Sequence, residues 1–390
     1  MQGEDLTFRV PALFSIIDNP ESTLRFINTV SGALDNAEVR SINLDHSGLK
    51  DHDLAAEILL GVAAKEIKTV FGYRNINVLI RGNYPDSERQ TRLIRSMGVV
   101  KKLNIEKSIE SSDLAALEIF DFRGIKDTEA RLGEDRKNRC ARTFVEHVNA
   151  CLYHAGRQLT SDAVQDLTDF IGEILANAED HSGENRWYVC GYLDDDKQLG
   201  SNEVRFCEIA IFNFGRSIAE TFMELDSKSY ALSVVKPYVD QHLRQGFFGR
   251  NWYKDDLLTL VALQGHVSSK NDGIKYTDRG QGTIDLIRFF QRVAGECSTI
   301  GIRDAKMALV SGSTHILFDE KYQIQKTANG RDVIAFNASN DLNIRPDSKY
   351  VTHLEGVKFP GTLIGIKFPL RADDTEAVTP EVDSENEQSK

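Results

Sequence analysis

At 390 residues, 41% hydrophobic and 27% charged, the chain is long enough for two domains that each bury a core, and its composition is not that of a disordered protein. Its formal charge is −12, of which residues 371–390, with seven acids and two bases, supply −5; this end has no apolar face and reads as an acidic disordered tail. The remaining body is still acidic, which argues against broad nucleic-acid or anionic-membrane binding.

In chain order, residues 1 to about 120 alternate strand-like and helix-like runs: VRSINLDHSGL, DHDLAAEILLGVAAKEI, INVLIRG, SERQTRLIRSMGVVKKL and LAALEIFDF. Strands separated by helices of this length predict a small α/β domain over 1–122. The next run, RGIKDTEARLGEDRKNR, is highly charged, so 123–139 reads as a linker or connecting helix. From 140 the order changes. Two helical runs (CARTFVEHVNACLYHAG and SDAVQDLTDFIGEILANAED) precede two strands (RWYVCGYLD and EVRFCEIAIFNFG). After a long irregular region come a helix, GTIDLIRFFQRVAGE, and three strand-like runs, KMALVSG, HILFDEKYQIQ and GTLIGIKFPL. Helices gathered against a mostly antiparallel sheet predict an α+β sandwich over 140–370.

Five cysteines (Cys140, Cys151, Cys190, Cys207 and Cys297) form no CxxC and leave an odd count, which points to reduced thiols in the cytoplasm and away from structural zinc. No basic N-terminal region followed by an apolar core is present, and no apolar run approaches a membrane span.

The second helical run carries an unusual stripe. At 100° per residue Asp166, Asp169, Glu173, Asn177 and Asp180 fall on one side, and Leu167, Ile171, Ile174, Leu175 and Ala178 on the other. Alone, such a stripe reads as a solvated face. Downstream punctuation changes that reading: a strand ends in Asn213-Phe214-Gly215-Arg216-Ser217, Gly280-Gln281-Gly282-Thr283 opens a helix, and the last strand begins Gly361-Thr362.

These four motifs, in this order, resemble the ATP-binding (Bergerat) fold shared by gyrase B, the large heat-shock chaperones, sensor histidine kinases and MutL-type repair proteins, the GHKL superfamily. The resemblance covers roughly residues 140–370 and implies binding of ATP with Mg²⁺. Glu173 and Asn177 match its E-x-x-x-N, a spacing that aims two side chains the same way. The resemblance makes Asn177 the Mg²⁺ ligand and Glu173 the group that activates water or another acceptor hydroxyl, with Asp180 and His181 matching the DH pair that often follows. At the second motif Asn213 and Gly215 stand where the family has D-x-G-x-G. Aspartate is replaced by asparagine and the second glycine by Ser217, which leaves ATP and GTP both open, since an amide presents a donor or an acceptor. Gly280, Gly282 and Thr283 imply a phosphate site at a helix start. Gly265–Lys270 (GHVSSK) resembles a segment that closes over the γ-phosphate, so 218–281 is expected to be an ATP lid with Lys270 on the phosphate, and Thr362 is expected near the base. The lid's mixed basic and aromatic run, LRQGFFGRNWYKDD, is read as lid packing in preference to a surface for single-stranded nucleic acid.

In the N-terminal domain INLDHSGLKDHDLAAEILL resembles the STAS-like domains of anti-sigma-factor antagonists; the same residues equally fit an α/β domain of other ancestry. The turn Lys50-Asp51-His52-Asp53 has no hydroxyl at the position phosphorylated in those domains, which leaves a regulatory role toward a protein partner or a second copy of the chain. Function is thus expected to be a cytoplasmic, slow Mg²⁺-dependent ATPase acting as a signalling switch; the alternatives are an anti-sigma-like serine/threonine kinase and a nucleotide-binding module without catalysis.

Overall fold

The computed structural model describes residues 4–103, 119–125, 136–153, 156–181, 186–194, 205–244, 252–264, 267, 282–299, 305–327, 330–370 and 372–378. The architecture is α+β. The N-terminal part is a parallel three-stranded sheet of β1 (Glu4–Arg9), β2 (Val39–Asp45) and β3 (Leu79–Asn83), in that order. Its crossovers are α1 (Pro20–Ser31) and α2 (Leu54–Tyr73), and α3 (Glu88–Met97) and α4 (Val99–Leu103) follow β3. Asp53 caps α2 by accepting from the Ala56 N–H at 2.8 Å. α2 is buried on most of its circumference, from Leu54 through Ala56, Ile58, Leu60 and Ala64 to Phe71. A helix with so little polar surface must be covered on more than one side.

The second cover is a seven-stranded sheet. It is built from β4 (Ile119–Ile125), β5 (Arg186–Asp194), β6 (Arg205–Phe214), β7 (Lys306–Gly312), β8 (Thr314–Phe318), β9 (Val351–His353) and β10 (Phe359–Leu370). Their order is β9-β8-β7-β10-β6-β5-β4, with every neighbouring pair antiparallel. Successive residues on a strand point to opposite faces. On β6, Cys207, Ile209 and Ile211 join one core with α5 (Arg136–Tyr153), α6 (Ser161–His181) and α10 (Gly282–Thr299), whereas Ala210 and Phe212 join the core around α2. The large sheet is therefore covered on both faces, by three helices on one and by the N-terminal unit on the other. Small residues permit the close crossing of α2: a Cβ at Gly365 of β10 would lie 3.5 Å from that of Ala55.

Four expectations are corrected. The run LAALEIFDF contributes β4, which joins the edge of the large sheet beside β5 and not the N-terminal sheet. The run HILFDEKYQIQ is a strand only as far as Phe318. Residues 218–244 and 252–264 are not irregular: they hold α7 (Ile218–Met223), α8 (Tyr230–Arg244) and α9 (Lys254–Ala262), with a small core of their own around Phe222, Val235 and Leu258. Pro237 sits inside α8. α9 is also tied to the sheet, since buried Asp256 accepts from Thr314 Oγ1 at 2.8 Å and faces His353 Nδ1 at 3.1 Å. Finally, Thr375–Ala377 of the acidic end pairs antiparallel with Arg157–Leu159, where Arg157 Nε donates to Thr375 Oγ1 at 2.7 Å.

α5 reaches the sheet at Gly191, where a Cβ would stand 2.3 Å from Cε2 of the fully buried Phe144 ring. Gly191→Ala is expected to force that ring out of place and cost about 1–3 kcal/mol, read as a lower urea midpoint with an unchanged slope.

Candidate functional site

Three strand ends form the floor of the site. Thr362 on β10 is paired with Asn213 on β6 and with Ser311 on β7. Directly opposed residues share a face, and the alternation set by Ile211, Ile364 and Leu309 puts all three on the side covered by α5, α6 and α10. Asn213 and Ser311 are buried and Thr362 is half-buried. The Ser311 and Thr362 hydroxyls lie 2.8 Å apart, and Ser311 Oγ also accepts the Ile218 N–H at 2.8 Å.

The two glycines of this floor have backbone reasons to be glycine. Gly215 has φ +134° and donates its N–H to Pro360 O at 3.1 Å. Gly361 has φ +136°, and a Cβ there would lie 2.0 Å from the Asn213 carbonyl oxygen. Ser217 has a structural task of its own. It caps α7 in a reciprocal box with Glu220: its Oγ accepts the Glu220 N–H at 3.2 Å, and Glu220 Oε2 accepts the Ser217 N–H at 2.8 Å. The serine-x-x-glutamate spacing is the sequence signal for that cap. Ser311 had no such signal, since only strand pairing brings it beside Thr362.

The walls are α6 and α10, which run antiparallel. Asp166 Oδ2 meets Arg292 Nη2 at 2.7 Å, and four residues further along α6 the Phe170 ring stacks on Phe289 with centroids 4.1 Å apart. Continued at the same rise per residue, this register brings Glu173 and Asn177 level with the first turn of α10, which holds Gly282 and Thr283. α6 ends at His181, and only residues 182–185 separate it from β5, whose Tyr188 pairs with Phe212. The end of α6 that carries Asn177 and Asp180 is thus the end of the sheet that carries Asn213, Gly215 and Thr362. Glu173, Asn177, Asp180 and Thr283 are described as helix positions only. Gly280 and Lys270 lie outside the described residues.

Between the two helices runs a cleft of about 280 Å³ lined by Asp166, Asp169, Phe170, Asp285, Arg288 and Arg292 among others. Here the acidic stripe is held by neighbours. Asp169 accepts from Gln165 Nε2 at 2.9 Å, and Arg288 bridges Asp285 at 3.5 Å and Asp332 at 2.6 Å. Burial raises the Asp285 carboxyl, with Asp332 adding to the rise and Arg288 opposing it. The half of α6 before Phe170 therefore behaves as a charged surface groove, and the half after it approaches the strand ends.

No family model, curated protein or solved structure matches the chain at a significant level. Among the described residues no helix is long and apolar enough to cross a membrane, and Cys140, Cys190 and Cys207 are buried.

Gly361 is the most constrained position of the floor. Gly361→Ala is expected to lower stability by at least about 1–3 kcal/mol through backbone strain, because the added methyl meets a carbonyl oxygen that β-pairing holds in place. Urea unfolding beside Gly361→Ser, which carries the same Cβ, should show both variants weakened.

Proposed function

We propose that the chain is a cytoplasmic GHKL-type protein that binds ATP with Mg²⁺, hydrolyses it slowly and uses the cycle as a conformational switch read through a STAS-like N-terminal unit. One observation carries this reading: four stretches far apart in the chain, around Glu173–Asp180, Asn213–Gly215, Gly282–Thr283 and Gly361–Thr362, converge on one end of one face of the sheet.

In this reading the base lies over Asn213 and Thr362, where an amide and a hydroxyl offer both donor and acceptor. The phosphates lie at the start of α10, where an 18-residue helix presents unpaired N–H groups and its positive dipole end. The residue that would hold Mg²⁺ is Asn177, whose amide supplies an oxygen donor of the kind this hard cation takes. Among the described residues no group of three or more His, Cys, Asp or Glu side chains is arranged as a metal cage. When bound, the ion neutralises phosphate charge. Glu173, one helical turn before Asn177, takes the proton of the attacking water. The N-terminal unit packs on the opposite face of the same strands, which supports a switch acting within the chain.

A metal ligand acts in the ground state and a general base only in the transition state. Asn177→Ala is expected to abolish Mg²⁺-dependent ATP binding, while Glu173→Gln keeps binding and loses turnover. Nucleotide at about a hundred times its Kd adds roughly 2.7 kcal/mol, so the melting temperature should rise by several degrees for Glu173→Gln and not for Asn177→Ala. Equal shifts in both variants, or none in the wild type, would sink the assignment.

A further inference from the structure

The junction between the N-terminal unit and the large sheet contains a buried cluster of ionisable groups that the proposed nucleotide site does not use. Glu57, in the first turn of α2, is fully buried. Its Oε1 lies 2.8 Å from His52 Nδ1 and its Oε2 lies 3.9 Å from His46 Nε2, and both imidazoles are buried. Among the described residues Glu57 Oε2, His46 Nε2 and His52 Nε2 have no hydrogen-bond partner. From the α3–α4 elbow the cluster meets the backbone of Gly98, where a Cβ would lie 2.8 Å from Glu57 Oε2. Glu57 has no exposure through which solvent could compensate a charge.

The same helix start is fastened to the large sheet. Glu208 of β6 accepts the Leu54 N–H at 2.9 Å and the Tyr192 hydroxyl at 3.0 Å, with Lys367 Nζ at 3.4 Å. Asp53 accepts from Ser15 Oγ at 2.7 Å and from the Ile17 N–H at 3.0 Å. Its carboxyl is pushed up to about 6 by burial and by Glu208. His52 is therefore faced by Glu57 within the N-terminal unit, by Asp51 beside it in the chain, and by Glu208 from the large sheet. Acids surround it on both sides of the junction.

We propose that His52 and Glu57 form a proton-operated latch, in which the charged imidazole fastens the start of α2 and the N-terminal unit to the large sheet, and loss of its proton loosens both. A carboxylate with no exposure keeps its charge only beside a cation. The neutral imidazole can still donate its Nδ1–H to Glu57 but no longer cancels the carboxylate charge, at the point where Leu54 is hydrogen-bonded to Glu208. The direction of the titrations agrees. Burial lowers the His52 imidazole, but the hydrogen bond and charge of Glu57, with Glu208 and Asp51 beyond it, outweigh this and hold it above its ordinary 6.5. Burial raises Glu57, but the His52 hydrogen bond and the charges of His46 and His52 outweigh this and hold it low. A histidine raised on folding contributes stability that is fully present below 6.5 and is lost as pH rises through its folded value. The Glu57 contribution runs the other way and is lost only as pH falls below its unfolded 4.5. The latch thus opens on the alkaline side. Below 6.5, His147 and His315, both held down to about 4 by burial, work against Asp53, and above 9.0 the Cys140 thiol, pushed up to about 12 by burial, adds a loss of its own, so the clean window lies between 6.5 and 9.0.

The test uses the full chain and is independent of nucleotide. Urea midpoints from pH 6.5 to 9 should fall for the wild type, the folding constant dropping by up to about tenfold per pH unit while His52 titrates, and should be nearly level for Glu57→Gln. A wild type that is level across this range, or a variant that falls as steeply, overturns the latch. Should the variant fail to fold, NMR titration of the nine histidines of the wild type decides: one buried imidazole must titrate above 6.5, and titration of all nine at or below it overturns the proposal.

Discussion

Everything in this molecule depends on the burial of α2 between two sheets. A 20-residue helix with Leu, Ala and Ile on most of its circumference cannot rest on the three short parallel strands alone without exposing a second apolar stripe. β5, β6 and β10 supply the second surface, with Cys190, Tyr192, Ala210, Phe212 and Leu363 packed against it. The N-terminal unit is thereby part of the core of the large sheet. Polar groups set where the helix stops sliding: Asp53 and Glu208 accept N–H groups of its first turn, and Lys306 reaches across to Asp18 at 2.6 Å.

Two-sided burial has a chemical corollary. A strand covered on both faces cannot respond on one face without consequence for the other, because close-packed interiors deform little and transmit strain. β6 carries Glu208 toward α2 and, five residues on, Asn213 toward the helical face. Whatever settles on the floor formed by Asn213, Thr362 and Ser311 is one strand's thickness from the N-terminal unit. This adjacency is the physical basis on which the proposed switch rests.

Much of this was legible in the residues, and the exceptions have physical causes. Helical and strand periods placed α2, α5, α6, α10, β5, β6, β7 and β10 close to their observed bounds, since each buries a regular face. Pairing is a different matter. That Ile119–Ile125 joins the far edge of the large sheet is decided by a partner near residue 190 and leaves no mark on its own sequence. The run FCEIAIFNF did carry a signal, near-continuous apolarity, for a strand buried on both faces. At the candidate site the motif spacings singled out positions on α6, β6, α10 and β10. They did not give Ser311, Arg288 or Asp332, whose roles arise from contacts between distant segments. The strand at Thr375–Ala377 was hidden because its anchor, Arg157, lies 218 positions from Thr375, in a different part of the chain from the acidic run.

The crossing of α2 over β10 at Ala55 and Gly365 also has a consequence in time. The two residues are some 300 positions apart, and ribosomes add about 5–20 residues per second. For roughly 15–60 s at that rate, a nascent chain holds an apolar helix whose second cover has yet to be made. A chain built this way has high contact order, closes slowly and offers its stickiest surface early. The burden of this topology thus falls on synthesis, while the apolar face of α2 waits for β10, more than on the finished fold.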